Sequence, residues 1–239
     1  MVTNNLLDAL APPDRDAIMA VARRVQLTTG DLLYDLGDPV EHCYFPCGAA
    51  IASYLVVMDD GLAIETAMVG SDGALGGIVS HGHVPSFSRS VVLRGGLFLK
   101  VPLVALDAVK EENPPVARLF ARFADCFLAQ VFQSVACNAA HTIEQRAARW
   151  LLAAIERTGG RDVAINQEQL GALLGVGRSY TSRVLQRLKA AGLVTIYRGG
   201  VEVPDPAGLA AIACSCNARV RSHYQNVLGG IYPDPALSS

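Results

Sequence analysis

The chain of 239 residues has no apolar run long enough to cross a bilayer. Its most hydrophobic stretch, residues 97–109, is interrupted by Lys100, Pro102 and Asp107, whereas a membrane-spanning helix needs about 20 apolar residues. The N-terminus lacks a basic region followed by an apolar block, so we predict no signal peptide and expect a cytoplasmic protein with no membrane partner. Hydrophobic residues make up 51% of the chain, which excludes a largely disordered protein.

The sequence also lacks the motifs of enzymes and of metal sites. No nucleophile–base pair, phosphate-binding glycine loop or metalloprotease motif appears, so we expect no catalytic residues and no enzymatic activity. Two of the cysteine pairs, Cys43-x-x-x-Cys47 and Cys214-x-Cys216, lack the C-x₂-C spacing and the nearby histidines of a zinc site. We therefore interpret the cysteines as buried free thiols and predict no metal ligands and no cofactor. Cys43 and Cys47 would respond to oxidation only if they were exposed.

Charge is divided unevenly along the chain, although the net charge is only −2. Residues 141–239 contain 11 basic and 7 acidic side chains, whereas residues 1–140 contain 9 and 15. The C-terminal region therefore has a net charge of +4, and the N-terminal region has a net charge of −6. A positive excess in one region supports contact with a polyanion such as nucleic acid.

The N-terminal region has the pattern of an antiparallel β domain. A short helix is predicted over residues 14–25, and from about Gln26 to Val109 short apolar runs alternate with Gly, Pro and Asp. Asp59-Asp60-Gly61 separates two of these runs and is typical of a hairpin turn. Several strands within about 80 residues predict a barrel or a sandwich. The predicted strands lie within Asp31–Tyr34, Ile51–Met58, Leu62–Val69 and Ser90–Val101.

A long helix is predicted from Asn113-Pro114-Pro115 to about Ala140. Apolar residues recur along it every three or four positions, so they share one face of the helix. This face could be the buried side of a core helix or a seam between two subunits, and the helix's length and its place between two domains favour the dimer. The predicted dimer interface consists of Phe120, Phe123, Phe127 and Val131.

The C-terminal region has the order helix, turn, helix, hairpin. Capping boxes are predicted at Thr142 and at Asn166, and the last of these helices begins near Arg178. Val194–Tyr197 and Val201–Val203 then predict a small hairpin. This order is that of a winged helix-turn-helix.

The second helix of this motif is expected to point polar side chains outward from its first turns. Arg178, Ser179, Ser182 and Arg183 share that face, and an arginine can donate two hydrogen bonds to a guanine. We predict that this face enters a groove of double-stranded DNA. The alternative is a ligand-binding signalling module whose winged helix binds a protein partner. The other predicted DNA contacts are Gln167, Arg187, Lys189 and Arg198.

The segment NQEQLGALLGVGRSYTSRVLQRLKAAGLV resembles the helix-turn-helix of the CRP/FNR family of bacterial transcription regulators. The resemblance implies an α+β fold: a jelly-roll sensor domain like that of cyclic-nucleotide-binding proteins in residues 1–112, a dimerisation helix in 113–140, and a winged helix-turn-helix in 141–213. Residues 214–239 remain as a C-terminal tail. The resemblance also implies a homodimer, double-stranded DNA as ligand and RNA polymerase as a protein partner.

The same resemblance bears on individual residues. Arg178 falls where the family commonly places a base-reading arginine, and Arg183 falls where a second arginine recurs. Many members have a glutamate between the two, and this sequence has Ser179 at that position. The half-site is therefore expected to differ from the family's best-known one.

The family's cyclic-nucleotide cassette is only half present in this sequence. The family places Gly-Glu near the start of the cassette and Arg-Ser or Arg-Thr about ten residues later, with the arginine neutralising the cyclic phosphate. Arg89 and Ser90 match the second element, but Gly77, which follows Gly76, stands where the glutamate is expected. We therefore predict a sensor for an unidentified effector, with a cyclic nucleotide disfavoured.

Overall fold

The computed structural model describes residues 4–231. They form an N-terminal roll of two antiparallel sheets, a long connecting helix and a C-terminal winged helix domain, as the α+β prediction requires. Within these described residues, no helix is both long enough and apolar enough to span a bilayer.

The roll has one sheet of three strands in the order β1–β7–β3 and one of four strands in the order β2–β6–β4–β5. Its core lies between them, and Phe45 and Phe98 are among its fully buried side chains. The predicted hairpin joins β4 to β5 at Gly61, whose φ of +83° is one that glycine adopts readily. The strands are β1 (Arg23–Leu27), β2 (Leu32–Tyr34), β3 (His42–Pro46), β4 (Ile51–Val57), β5 (Ala63–Val69), β6 (Arg89–Arg94) and β7 (Gly96–Pro102).

The N-terminal boundaries differ from the sequence prediction. The structure has helices α1 (Asn5–Asp8) and α2 (Pro12–Val21), so the helix predicted over residues 14–25 ends earlier than expected. Residues 23–27 instead form β1, in which Val25 pairs with Phe98. Apolar residues at every second position in this short segment fit a strand as well as the last turn of a helix.

The predicted strand Ser90–Val101 is two strands, because at Gly95 the chain passes from the four-stranded sheet to the three-stranded sheet. A β-carbon at Gly95 would lie 2.8 Å from the carbonyl oxygen of Leu27, so only glycine fits this close approach. The sequence analysis also missed β3 and helix α3 (Leu103–Glu112). Four of the five β3 residues are buried, so the strand lacks the alternation that marks a half-exposed strand.

Helix α4 (Pro114–Ala140) has the predicted bounds, but its aromatic face lies against the roll of the same chain. Phe120 and Phe123 are 0% and 1% exposed, and Phe127 packs edge-on against Tyr54 at 5.3 Å between ring centroids. Val131 is partly exposed. The assignment of Phe120 and Phe123 to a dimer interface is therefore wrong, and the alternative of a buried core face is correct for them. Apolar periodicity identifies a buried face but not the partner that buries it.

The C-terminal domain has the predicted order of elements. Both predicted capping boxes form, at Thr142 with Gln145 and at Asn166 with Gln169. The wing has three strands rather than two, because β10 also pairs with a short strand that precedes the helix-turn-helix. The elements are α5 (Ile143–Thr158), β8 (Asp162–Val163), α6 (Gln167–Leu174), α7 (Arg178–Ala190), β9 (Thr195–Tyr197), β10 (Gly200–Glu202) and α8 (Pro206–Ile212).

Residues 214–239 were assigned only as a tail, yet some of them form helix α9 (Cys216–Leu228), which packs along α4. Its last residue, Leu228, is buried in the core of the roll. Asn217 and Arg221 of α9 both bond to Glu156 of α5, at 2.8 Å and 2.9 Å. The helix therefore joins the winged helix domain to α4.

The winged helix domain also packs directly on the four-stranded sheet. Its core cluster includes Ile51, Leu55 and Met68 of the roll. The indole nitrogen of Trp150 on α5 donates a hydrogen bond of 2.8 Å to the partly buried carboxylate of Glu65 on β5. A cavity of about 220 Å³ remains between the sheet and the domain, with a mostly apolar lining.

Candidate nucleic-acid interface

The recognition helix α7 is held by an apolar face. Val184, Leu185 and Leu188 are buried in the core of the winged helix domain. The turn between α6 and α7 is fixed by a hydrogen bond of 2.8 Å from the amide of Val176 to the carbonyl of Gly171. These contacts direct the opposite face of α7 away from the core.

That outward face carries the predicted donors together. Arg178, Ser179 and Arg183 are exposed, and Ser182 is partly exposed. The guanidinium of Arg183 lies over the ring of Tyr180 at 5.2 Å, which holds the side chain by a cation–π contact. The face thus offers two arginines and two hydroxyls within its first two turns.

The N-terminus of α7 adds to this positive face. Its N-cap is Gly177, which has no side chain to accept from the first-turn amides. Uncapped amides at a helix N-terminus carry partial positive charge and bind phosphate oxygens. This end of α7 therefore suits the DNA backbone beside the bases that Arg178 would read.

The remaining predicted DNA contacts lie near this face of α7, but not all of them are continuous with it. Gln167 and Arg178 line one cleft together with the wing. Arg198 is exposed in the wing turn, and Lys189 is exposed near the far end of α7, about 16 Å along the axis from Arg178. Arg187 is exposed too, but its guanidinium lies 3.7 Å from the carboxylate of Glu144. Only the wing and the start of α7 form a continuous surface with Gln167.

The half cassette in the sensor domain has a different geometry from that of a phosphate site. Arg89 donates two hydrogen bonds to Asp35, at 3.0 Å and 2.9 Å. The bonds from Arg89 lower the pKa of the Asp35 carboxyl, which keeps the pair ionised. Ser90 is fully buried, and its hydroxyl has no hydrogen-bond partner in the described structure. The guanidinium is thus already neutralised by a side chain.

The two glycines of the cassette are required by their surroundings. Gly76 and Gly77 have φ values of +89° and +55°. A β-carbon at Gly77 would lie 2.4 Å from a methyl group of Leu103, and one at Gly76 would lie 2.3 Å from the hydroxyl of Tyr34. A glutamate cannot occupy Gly77 in this conformation, because the α3 side chain fills the space.

The sequence analysis missed one cluster outside these sites. Cys137, His141, Cys214 and Cys216 lie together, with all their ligand atoms within 4.8 Å of one another. The statement that the cysteines have no nearby histidine is therefore wrong in three dimensions. Cys137 and His141 lie far from Cys214 and Cys216 in sequence, so no short spacing motif could have identified the group.

Comparison with known proteins supports the interpretation of the C-terminal domain. The family model of the Crp-like helix-turn-helix domain matches residues 145–212. The transcriptional regulatory protein btr of Bordetella pertussis is 26% identical over 204 residues, which cover 79% of this chain and 80% of that protein. The chain is a transcription regulator with a Crp-like helix-turn-helix domain.

Solved structures agree with the fold of this regulator. FixK2 from Bradyrhizobium japonicum superposes with a TM-score of 0.69 at 18% identity, over 81% of this chain and 98% of that one. The c-di-GMP responsive regulator CLP from Xanthomonas campestris gives a TM-score of 0.66 at 16% identity, over 81% and 99%. The matched domain runs from α5 to α8, so it includes both helices of the motif and the wing. DNA binding is therefore favoured over the alternative of a protein-binding winged helix, and the relatives are regulators rather than enzymes.

Proposed function

We propose that this regulator binds double-stranded DNA as a homodimer, with one α7 helix in the major groove of each half-site. The observation that carries the proposal is the exposed face of Arg178, Ser179 and Arg183 at an uncapped helix N-terminus. Two such helices related by a two-fold axis would read half-sites about one turn of DNA apart. We further propose that the protein acts on promoters in the cytoplasm, with RNA polymerase as the partner that it recruits or blocks.

The dimer is proposed to form through the face of α4 that the roll leaves uncovered. Leu128, Phe132 and Val135 recur at spacings of four and three and are 47%, 65% and 66% exposed. Large apolar side chains on one stripe of a helix are costly in water, and a second α4 packed in the same way would cover them. This stripe replaces the buried residues Phe120 and Phe123 as the dimer interface.

The oligomeric state tests this proposal. Phe132→Asp places a charge in the centre of the stripe and should give monomers with normal helical content. Phe87→Asp is the matched control, because Phe87 is 81% exposed on a loop of the roll and should remain dimeric when charged. Light scattering at micromolar concentration measures both. A monomeric wild type, or a Phe132→Asp variant that is still dimeric, contradicts the proposed interface.

Sequence readout is proposed to depend on Arg178. A bidentate bond from its guanidinium to a guanine contributes about 1–3 kcal/mol of discrimination. Arg183 would support it from the next turn, and Ser179 would leave the neighbouring base pair less constrained. Arg178→Ala should therefore lose preference at one base pair per half-site while keeping most non-specific affinity.

Selection of sites from random DNA separates base contacts from phosphate contacts. Lys189→Ala and Arg198→Ala should weaken binding to all sequences alike and reduce its salt dependence. Arg219→Ala, which removes an exposed charge on α9 outside the motif, serves as the control and should change neither property. If Arg178→Ala selects the same sites with the same information at every position, Arg178 does not read a base.

The effector of the sensor domain is proposed not to be a cyclic nucleotide bound at the half cassette. Asp35 occupies the guanidinium of Arg89, and the space beside Gly77 is filled by Leu103. A cyclic phosphate would have to displace Asp35 and would still lack an acidic partner for its ribose hydroxyl. Calorimetric titration with cyclic AMP at physiological salt should show no binding in the low-micromolar range, and such binding would overturn the assignment.

A further inference from the structure

The described residues contain one cluster of soft metal ligands, and neither the DNA-binding surface nor the half cassette uses it. It consists of the thiols of Cys137, Cys214 and Cys216 and the imidazole of His141. All three cysteines are buried and His141 is partly buried. Three thiols and one imidazole are a ligand set of structural zinc sites.

Two distances within the cluster are close to those expected around one metal ion, and all its ligand atoms lie within 4.8 Å of one another. In a tetrahedral site with Zn–S bonds of about 2.3 Å and Zn–N bonds of about 2.0–2.1 Å, neighbouring sulfurs lie about 3.8 Å apart and a sulfur and a nitrogen about 3.6 Å apart. The sulfurs of Cys137 and Cys214 are 3.5 Å apart, and the sulfur of Cys216 is 3.6 Å from Nδ1 of His141. A disulfide needs a separation of about 2.05 Å, so Cys137 and Cys214 are not bonded to each other.

Neighbouring side chains suit a site that holds thiolates. The amide of Gln133 donates to the sulfur of Cys216 at 3.1 Å. Arg146 and Arg149 are near enough to interact electrostatically with the thiol of Cys137, and the Nε–H of each arginine is buried without a partner in the described structure. Three thiolates and a divalent cation have a net charge of −1, which these arginines offset.

We propose that Cys137, His141, Cys214 and Cys216 bind one divalent zinc ion in tetrahedral coordination. Binding converts three thiols to thiolates and releases their protons to solvent, with no change of oxidation state. The imidazole binds as the neutral base.

The position of the site gives the ion a structural role. Cys137 lies in the last turn of α4, and His141 is the residue that caps it, directly before the winged helix domain. Cys214 lies in the short link after α8, the last helix of that domain, and Cys216 is the first residue of α9. One ion would therefore fasten both ends of the domain to the end of α4.

The site is also joined to the helix-turn-helix itself. Arg146 donates a hydrogen bond of 2.7 Å to the carbonyl of Leu174, the last residue of α6. Loss of the ion would thus detach both ends of the winged helix domain from α4. It would also disturb Arg146, which bonds to the end of α6. This consequence rests on the proposed DNA binding, whereas metal binding itself does not.

Metal binding is tested on the full-length protein with Co²⁺ and Zn²⁺ alone. The wild type, reduced and stripped of metal, should bind one Co²⁺ per chain and develop the thiolate-to-metal charge-transfer band and the strong visible bands of tetrahedral cobalt. One equivalent of Zn²⁺ should abolish these bands. Wild-type protein that binds neither ion stoichiometrically overturns the proposal without recourse to variants, as does protein isolated with iron and sulfide at these residues.

Variants assign the ligands. Cys214→Ala and His141→Ala should each lose the tetrahedral cobalt spectrum and lower the affinity for Zn²⁺ at least tenfold. His141→Cys should retain an ion with a more intense charge-transfer band, because a fourth thiolate replaces the imidazole. Cys126→Ser changes a buried cysteine of the same helix outside the cluster and should bind metal as the wild type does. Unchanged spectra in both ligand variants would place the metal elsewhere and refute the assignment.

DNA affinity distinguishes the two proposals. If the wild type binds Zn²⁺ but shows no salt-dependent binding to any DNA pool, the zinc site stands and the proposed function fails. If Cys214→Ala loses both zinc and DNA affinity while the dimer persists, the ion fixes the domain for binding. Full DNA affinity in zinc-free Cys214→Ala protein would refute that role.

Discussion

Replacing Gly171 with alanine tests the packing that places the recognition helix. Gly171 lies within α6, where a β-carbon would be 2.7 Å from the hydroxyl of Thr181 and 2.8 Å from the carbonyl oxygen of Val176. The hydroxyl can rotate, but the carbonyl belongs to the backbone of the turn and can give way only if the two helices move apart. The substitution therefore acts on the α6–α7 distance directly.

Two opposing effects set the magnitude for Gly171→Ala. Alanine favours the helical state by about 1 kcal/mol relative to glycine. Overpacking a tight contact costs about 1–3 kcal/mol, and the backbone contact favours the upper end of that range. We expect a net loss of about 1–2 kcal/mol in the free energy of unfolding, together with weaker DNA binding because α7 is displaced.

Urea unfolding with tryptophan fluorescence measures the change for Gly171→Ala, since the single Trp150 lies in the core of the same domain. Gly160→Ala is the control, because the nearest atom to its β-carbon would be 4.0 Å away. Thr181→Ala removes one of the two close contacts of the new β-carbon. The double variant Gly171→Ala/Thr181→Ala should therefore be more stable, by about 0.5 kcal/mol or more, than the sum of the two single changes in the free energy of unfolding predicts. A Gly171→Ala variant as stable as the wild type, with no coupling to Thr181, would refute the packing argument.

Three further predictions concern buried groups. Burial raises the pKa of Glu65 above its ordinary value of 4.5. Below pH 4.5 the carboxyl is protonated in both the folded and the unfolded state and does not affect the free energy of unfolding. As the pH rises from 4.5 towards the raised pKa, the unfolded state ionises more readily, so the folded state loses stability. Urea titrations of Glu65→Gln should thus show a smaller loss of stability than the wild type as pH rises from 4.5 to 7. Cys43 and Cys47 are buried, and burial raises the pKa of the Cys47 thiol to about 11. We therefore expect that neither thiol reacts with iodoacetamide in the folded protein and that both react after unfolding, as measured by mass spectrometry. Phe123→Ala should destabilise the roll by about 3–5 kcal/mol in urea unfolding without changing the oligomeric state.

The helix-turn-helix could be predicted from sequence because its determinants are local. Asn166 and Gln169 form a capping box within four residues, and Gly175 ends α6 with a φ of +70°. The wing turn similarly uses Gly199 at a φ of +86°. Each of these features depends on side chains within a few positions of one another, so the sequence contains the whole signal.

The partners of α4 could not be predicted in the same way. Phe123 and Phe132 are both large aromatic residues on one helix, yet Phe123 contacts the roll and Phe132 faces outward. Nine residues are about two and a half turns of the helix, so the two rings lie on opposite faces. The roll covers the face of Phe123, where Gly73 leaves room for its ring. The cysteine–histidine cluster is a stronger case, since Cys137 and Cys214 are 77 positions apart in sequence and are brought together by the fold, in which α9 packs on α4.

The contact between the roll and the winged helix domain links the sheet directly to the α6–α7 turn. Helix α6 packs on β5, and a β-carbon at Gly175, in the turn before α7, would lie 3.4 Å from Ile64 of that strand. One residue further along that strand, Glu65 accepts the hydrogen bond from Trp150. Both contacts connect β5 to the winged helix domain. A movement of β5 relative to that domain would strain them, and a hydrogen bond to a carboxylate contributes about 1.5–3 kcal/mol. That free energy is of the same order as a typical allosteric coupling of about 1–3 kcal/mol.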